Sequence, residues 1–133
     1  MNNLLFKHAR LNTATHDALH EMFGVVNAET FEHLAELIRQ QQLVDAEGKD
    51  VYLPNVANLN TPILLLSGKG NITCKAIAIK TTYEWLCKDN GASYCDLVEM
   101  PGYGHIDCLF GKDAAEDVFP HWPNHFEKTV NDR

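Results

Sequence analysis

Hydrophobic positions in the first third of the chain recur with the period of an α-helix. Asn27 precedes a segment whose apolar residues fall at i, i+3, i+4 and i+7: Phe31, Leu34, Ala35 and Ile38. This spacing predicts an amphipathic helix with Asn27 as its N-cap. A shorter helix is predicted before it, with Thr13 or Thr15 as the cap.

From Thr61 onward the pattern changes to alternating strands and helices. The run 62–67 is continuously apolar and ends at Gly68, which is typical of a strand buried on both faces. A helix is predicted over about 75–90, and the next strand runs from Tyr94 to Met100.

A final helix is predicted after the second strand. Asp113, followed three residues later by Glu116, makes a capping pair for its N-terminus. Pro120 and Pro123 are expected to break this helix into two pieces.

These elements predict an α/β fold in one structural domain. Residues 1–60 form a helical, cap-like region with a connector, and residues 61–133 form a β-α-β-α unit with two parallel strands joined by a crossover helix. Two parallel strands alone leave unpaired edges. We therefore expect the sheet to be completed by a partner chain or by another copy of this chain.

Composition narrows the class of protein further. The 133 residues carry a net charge of −7 and are 45% hydrophobic, which indicates a globular protein and disfavours nucleic acid and anionic membranes as partners. No segment approaches the length of a transmembrane helix or resembles a signal peptide. The four cysteines lack C-x-x-C spacing and are interpreted as reduced residues of a cytoplasmic protein: Cys74, Cys87, Cys95 and Cys108.

Other candidate sites carry weaker signals. The pairs His16/His20 and His121/His125 are each four residues apart, a spacing that can bind zinc, but neither has a third ligand at motif spacing. We interpret them as surface histidines and predict no metal. The glycines around Lys69 lack a full phosphate-loop motif and predict a plain strand-to-helix turn. No G-x-G-x-x-G segment is present, so no cofactor is predicted.

The segment 100–108 carries the most chemical information. Gly102 and Gly104 flank Tyr103 and let the backbone bend, so that His105 can stand clear of the sheet edge. A histidine in that place suits acid/base chemistry, although the pattern alone is equally compatible with a structural role.

The strand 61–68 and the block 101–112 together resemble the C-terminal part of α/β-hydrolases. The likeness is closest to lipase-like hydrolase regions fused behind flavin oxidoreductases of the cholesterol-oxidase type, and segments 117–120 and 125–127 continue it. The resemblance implies a partial α/β-hydrolase fold in which residues 13–60 correspond to cap helices and connector. It also implies that His105 is the histidine of a catalytic triad.

The remaining triad positions are not filled in this sequence. The acid of such hydrolases falls within residues 68–71, where Asn71 can accept a hydrogen bond from the imidazole but carries no charge. Neither Ser67 nor Ser93 lies in a G-x-S-x-G elbow. Asp107 is interpreted as a local turn residue or a surface group.

Three functions are compatible with this pattern. The first is a hydrolase-derived fragment that is not catalytic alone and self-associates. The second is a subunit of a split esterase or lipase in which a missing hydrolase N-terminal half supplies the nucleophile and His105 acts on an ester. The third is a non-catalytic module in which the cap helices and the cleft beside His105 hold an apolar ligand.

Overall fold

The computed structural model describes residues 4–59, 61–91 and 95–131. In these ranges the chain is mixed α/β, with six α-helices and one two-stranded parallel sheet. The helices are α1 Thr13–Met22, α2 Ala28–Gln40, α3 Ala76–Asn90, α4 Asp107–Phe110, α5 Ala114–Asp117 and α6 His121–Asn131; the strands are β1 Ile63–Gly68 and β2 Cys95–Met100. Two short 3₁₀ segments, His8–Arg10 and Leu53–Asn58, complete the described elements.

The β1–α3–β2 unit has the predicted order, and its described bounds lie within one residue of the predicted ones. Tyr94, the predicted start of the second strand, lies outside the described residues. The strands pair in parallel, from Ile63 opposite Cys95 to Gly68 opposite Met100. Helix α3 ends at Gly91, whose φ of +90° suits glycine. Both strands were predicted because their apolar runs are short and bounded by turn residues.

Each face of the sheet meets a different helix. Helix α3 packs against both strands, and Cys87 of α3 contacts Cys95 on one face. Leu64 of β1 lies opposite Asp96 of β2, so both side chains point to the other face, where Asp96 binds His125 of α6. The buried core lies at the carboxyl end of β2 and in the segments after it: Met100, Tyr103, Cys108, Ala114 and Val118.

One predicted helix cap is present and two are not. Asn27 Oδ1 accepts a hydrogen bond from the Thr30 amide at 2.9 Å, which confirms the cap of α2. The cap of α1 is Asn12, which accepts from Thr15 N at 2.8 Å, so the prediction of Thr13 or Thr15 was wrong. Asp113 makes no cap bond at α5.

The two C-terminal prolines differ in effect. Pro120 lies between α5 and α6 and separates them, as predicted. Pro123 lies inside the first turn of α6 and does not break it, contrary to the prediction. A proline in the first turn removes an amide that has no partner within the helix, so the helix tolerates it.

The chain divides into two compact units. One contains residues up to 19 together with residues from 61 onward, and the other contains residues 20–60. Residues 4–19 group with the sheet rather than with the following helices. Among the described residues, no helix is long and apolar enough to cross a membrane.

Candidate functional site

Asn71 and His105 meet at the carboxyl end of the sheet. Asn71 lies on the loop after β1 and is 8% exposed, and His105 lies on the loop after β2 and is exposed. The Asn71 Nδ2 atom is 3.1 Å from Nδ1 of His105. The two residues that the sequence placed in the site are therefore in direct contact, 34 positions apart in the chain.

Backbone amides fix the orientation of the Asn71 side chain. Its Oδ1 atom accepts hydrogen bonds from Thr73 N at 3.0 Å and from Cys74 N at 2.9 Å. This is an Asx-type turn, in which the carbonyl oxygen faces the backbone that follows. The amide nitrogen must then face His105.

The contact therefore has a defined donor and acceptor. An amide nitrogen has only protons to offer, so Asn71 donates and Nδ1 of His105 accepts. Nδ1 carries no proton in this arrangement, and in the neutral ring the proton lies on Nε2. The expectation that Asn71 accepts a hydrogen bond from the imidazole is wrong, because Oδ1 already serves the two backbone amides.

The backbone of the His105 loop is held by the N-terminal segment. The amides of His105 and Ile106 both donate to the carbonyl oxygen of Leu5, at 3.1 and 2.8 Å. Lys112 N donates to Arg10 O at 2.8 Å farther along. Residues 4–11 thus bind both ends of the segment 105–112, a contact that the sequence pattern did not reveal.

Asp107 secures the loop from inside. Its side chain is fully buried, and both carboxylate oxygens accept the Gly104 amide, at 2.8 and 2.9 Å. Lys7 N also donates to it, at 3.3 Å. The local-turn interpretation of Asp107 is confirmed and the surface interpretation is wrong. These backbone contacts occupy the carboxylate, which is not bonded to the His105 ring.

The loops after β1 and β2 touch through their backbones. Lys69 N donates to Met100 O at 2.9 Å, and Gly70 N donates to Tyr103 O at 2.8 Å. A Cβ atom on Gly68 would collide with the carbonyl oxygens of Tyr103 and Gly104. Glycine at 68 is therefore required for the close approach that brings Asn71 to His105.

Arg10 anchors this arrangement at Tyr103. Its guanidinium lies 4.2 Å from the centre of the Tyr103 ring and bonds to Asp113 at 3.1 Å. The Tyr103 hydroxyl donates to Asp117 at 2.7 Å. Burial, followed by this hydrogen bond, raises the pKa of Tyr103 to about 12, so the phenol stays protonated.

Neither Ser67 nor Cys108 is arranged as a nucleophile for His105. Ser67 is 5% exposed, and its Oγ donates to Gly68 O at 3.5 Å. Burial raises the pKa of Cys108 to about 11, which keeps it a thiol. Ser93 lies outside the described residues. Of the four cysteines interpreted as reduced, Cys95 and Cys108 are buried, Cys87 is half-buried and Cys74 is exposed; all four are free thiols.

The predicted histidine pairs have other partners. His16 Nε2 lies 3.0 Å from His8 Nδ1, and the two rings stack. His125 Nδ1 lies 2.7 Å from Asp96 Oδ2, and Lys128 Nζ lies 2.7 Å from the other oxygen of Asp96. In the described part of the chain, no group of three or more histidine, cysteine or acidic side chains is arranged to hold a metal.

Comparison with known proteins adds no relative. No protein-family model, no curated protein and no solved structure matches this chain. The function is therefore inferred from the geometry at His105 and at the sheet.

Proposed function

We propose that this chain is a unit derived from the C-terminal half of an α/β-hydrolase, in which the histidine site binds a ligand or partner and does not catalyse acyl transfer. The observation that carries the proposal is the hydrogen bond from Asn71 Nδ2 to His105 Nδ1. The hydrolase relation is supported by the position of the pair, because a triad acid and histidine occupy the loops after two neighbouring parallel strands in the family that the sequence resembles.

The same hydrogen bond argues against catalysis by His105. A triad histidine takes the serine proton on one ring nitrogen while an acid holds a proton on the other. Here Nδ1 is an acceptor and Nε2 carries the proton, so the neutral ring has no free lone pair for a serine. The neutral amide of Asn71 also supplies no charge to stabilise an imidazolium. His105 is instead an exposed hydrogen-bond donor, suited to a carbonyl or other acceptor on a bound molecule.

Self-association is the second part of the proposal. Strand β1 pairs only with β2 among the described strands, so its other edge offers unpaired backbone groups. Pairing of this edge with another copy would bury apolar strand surface that a two-stranded sheet leaves open.

Ester hydrolysis tests the absence of acyl transfer. We expect the wild type and His105→Ala to hydrolyse p-nitrophenyl acetate at the same slow rate, because His105 offers no base at Nε2. His20→Ala, which removes an exposed histidine of the other unit, controls for hydrolysis by surface imidazole. A tenfold or larger loss of rate in His105→Ala alone would contradict the proposal.

The alternative function is a split esterase, which the exposure of His105 and the open edge of β1 favour. A second polypeptide would supply the nucleophile, and the Asn71 side chain would have to turn over when the two bind. Co-purification from native lysate would provide the complex for this test. Equal ester hydrolysis by wild type and His105→Ala within that complex would exclude this alternative.

A further inference from the structure

A second histidine, His125, lies in a groove at the opposite end of the sheet. Asp96, its partner, is the second residue of β2, four residues before the strand ends at Met100. At about 3.3 Å per residue, Asp96 is roughly 13 Å from that end, beyond which the loop with His105 begins. The groove has a volume of about 310 Å³ and is lined by Pro62, Leu64, Leu66, Trp122, His125 and Phe126. This volume is at the lower end of the range for small-molecule sites.

The ring of His125 is buried and held in one orientation. Its side chain is 6% exposed, and Nδ1 contacts Asp96 Oδ2 at 2.7 Å. Hydrogen bonds from Lys128 and then from His125 lower the pKa of Asp96, so that it is a carboxylate at neutral pH. A carboxylate only accepts hydrogen bonds, so Nδ1 of His125 carries a proton and donates it.

The other ring nitrogen, Nε2, is an acceptor when the ring is neutral. In a neutral ring with the proton on Nδ1, Nε2 presents a lone pair. Within the residues that the structure describes, no group forms a hydrogen bond with Nε2. His125 lines two grooves, this one and a neighbouring one of about 240 Å³ that Asp96 also lines. Because Nδ1 faces Asp96, we infer that Nε2, on the other side of the ring, faces this groove. Buried acceptors are normally paired with a donor, so an Nε2 that meets none among the described residues is a position to which a ligand hydroxyl can donate.

We propose that this groove binds a small aromatic alcohol whose hydroxyl donates a hydrogen bond to Nε2 of His125. The aromatic ring would lie among the apolar side chains of β1 and α6, chiefly Leu64, Leu66 and Trp122. An anion without a hydroxyl group does not fit, because it would present no proton to Nε2. Lys128, bonded to Asp96 at 2.7 Å, balances the charge of that carboxylate, so the pair offers no net positive charge to attract an anion.

This site is independent of the proposed association edge. A strand added to β1 bonds to backbone groups in the plane of the sheet. The groove instead lies over the face that carries Leu64 and Leu66, which are two residues apart and point to the same side.

Phenol and anisole are the probes that test the proposal. They share an aromatic ring, but only phenol has a hydroxyl proton to donate. Each is titrated into the full ¹⁵N-labelled chain while the ring nitrogens of His125 are followed in long-range ¹H–¹⁵N spectra. We expect a lone-pair-bearing Nε2 in the free protein, a saturable change at Nε2 with phenol, and about fivefold tighter binding of phenol than of anisole.

A surface variant keeps the test interpretable if changes at His125 itself prevent folding. Phe126 is 64% exposed and borders the groove, so Phe126→Ser is expected to keep the fold and weaken both probes about threefold or more. Phe31→Ser, at a helical phenylalanine that is 60% exposed and far along the chain in α2, should leave both affinities unchanged.

Four results would overturn the proposal. The first is a His125 ring with both nitrogens protonated in the free protein, and the second is equal affinity for phenol and anisole. The third is weakening by Phe31→Ser as large as that by Phe126→Ser. The fourth is an unmoved His125 spectrum with phenol, accompanied by loss of an oligomer in Phe126→Ser, which would show that a second copy fills the groove.

Discussion

At the scale of single residues, Asn71 presents its oxygen to the amides of Thr73 and Cys74 and its nitrogen to His105. An aspartate in the same place would accept all three hydrogen bonds and hold the opposite tautomer of the imidazole. The amide nitrogen of Asn71, where an aspartate would have an oxygen, thus determines whether Nε2 of His105 is a hydrogen-bond donor or a base. The sequence analysis placed both residues in the site but predicted the opposite direction for the hydrogen bond between them.

That direction had a local signal. An asparagine side chain in a turn commonly accepts a hydrogen bond from the backbone amide two residues later, which is called an Asx turn. This bond directs the side-chain oxygen toward the backbone. The dyad of His125 and Asp96 had no such signal, because its members are 29 residues apart on different elements. The four-residue spacing of His121 and His125 was visible in the sequence, whereas the partner that determines the chemistry of His125 was not.

The Asp96 carboxylate makes a pH-dependent contribution to stability. Hydrogen bonds from Lys128 and then from His125 lower the pKa of Asp96 in the folded state. The carboxylate therefore stabilises the fold fully at a pH above the ordinary aspartate pKa of about 3.9. The stabilisation is lost as the pH falls through the folded-state pKa. We expect Asp96→Asn to lower the free energy of unfolding by about 1 kcal/mol at pH 7 and the gap to close in strong acid.

Urea unfolding of both proteins across this pH range measures the gap. Glu84→Gln is the control, since Glu84 is exposed and, among the described residues, forms an ion pair only with Lys80, at 3.8 Å along the same helix. Glu84→Gln should lower the free energy of unfolding by less than about 0.5 kcal/mol at any pH. A gap between wild type and Asp96→Asn that stays constant down to strong acid would contradict the assignment.

At the scale of elements, local sequence patterns were enough to predict the β1–α3–β2 unit, but they were not enough for the segments after β2. The apolar runs, the glycine stops and the Asn27 cap involve neighbours in sequence, so their signals are local. The sequence predicted Asp113 as the cap of α5, but its carboxylate instead accepts a hydrogen bond from Arg10, which is 103 residues away in the chain. Residues 4–11 carry no strong period and still supply the carbonyls that hold the His105 loop.

The contact between the loops after β1 and β2 predicts a large effect at Gly68. Because a Cβ atom there would collide with the carbonyl oxygens of Tyr103 and Gly104, the loops must separate in Gly68→Ala. We expect a loss of about 2–3 kcal/mol in the free energy of unfolding and a changed environment of the His105 ring. Chemical denaturation and histidine spectra measure both effects.

Gly24→Ala is the matched control for that change. A Cβ at Gly24 would meet no atom within 4 Å. Gly24→Ala should therefore change the free energy of unfolding by no more than about 0.5 kcal/mol. If Gly68→Ala were as mild as this control, the close approach of the loops would not be what holds Asn71 against His105.

At the scale of the whole molecule, apolar surface is left uncovered in both compact units. The stripe predicted for α2 is present, but Phe31, Leu34 and Ile38 are 60%, 49% and 68% exposed. Strand β1 has one unpaired edge in the described sheet. A sequence pattern predicts that such a face will be buried, but it does not say whether the same chain or another copy buries it.

Light scattering during size exclusion tests the proposed self-association. We expect a discrete oligomer. Because the exposed α2 stripe is a second apolar surface that association with another copy would cover, we also expect a charge placed there by Ile38→Glu to lower the mass. Ile77→Glu alters an equally exposed isoleucine, 67% against 68%, on α3 outside this stripe and should leave the mass unchanged. A wild-type monomer with a high melting temperature would contradict self-association.

The most direct test of the account is the protonation of His105 itself. Long-range ¹H–¹⁵N spectra at a pH above the usual histidine range of about 6.5 distinguish the two ring nitrogens in the neutral form. We predict a proton on Nε2 and a lone pair on Nδ1 in the wild type, and the reverse in Asn71→Asp, where a carboxylate accepts from Nδ1. A wild-type ring that already carries its proton on Nδ1 would contradict the account, because His105 would then present a basic nitrogen to a nucleophile.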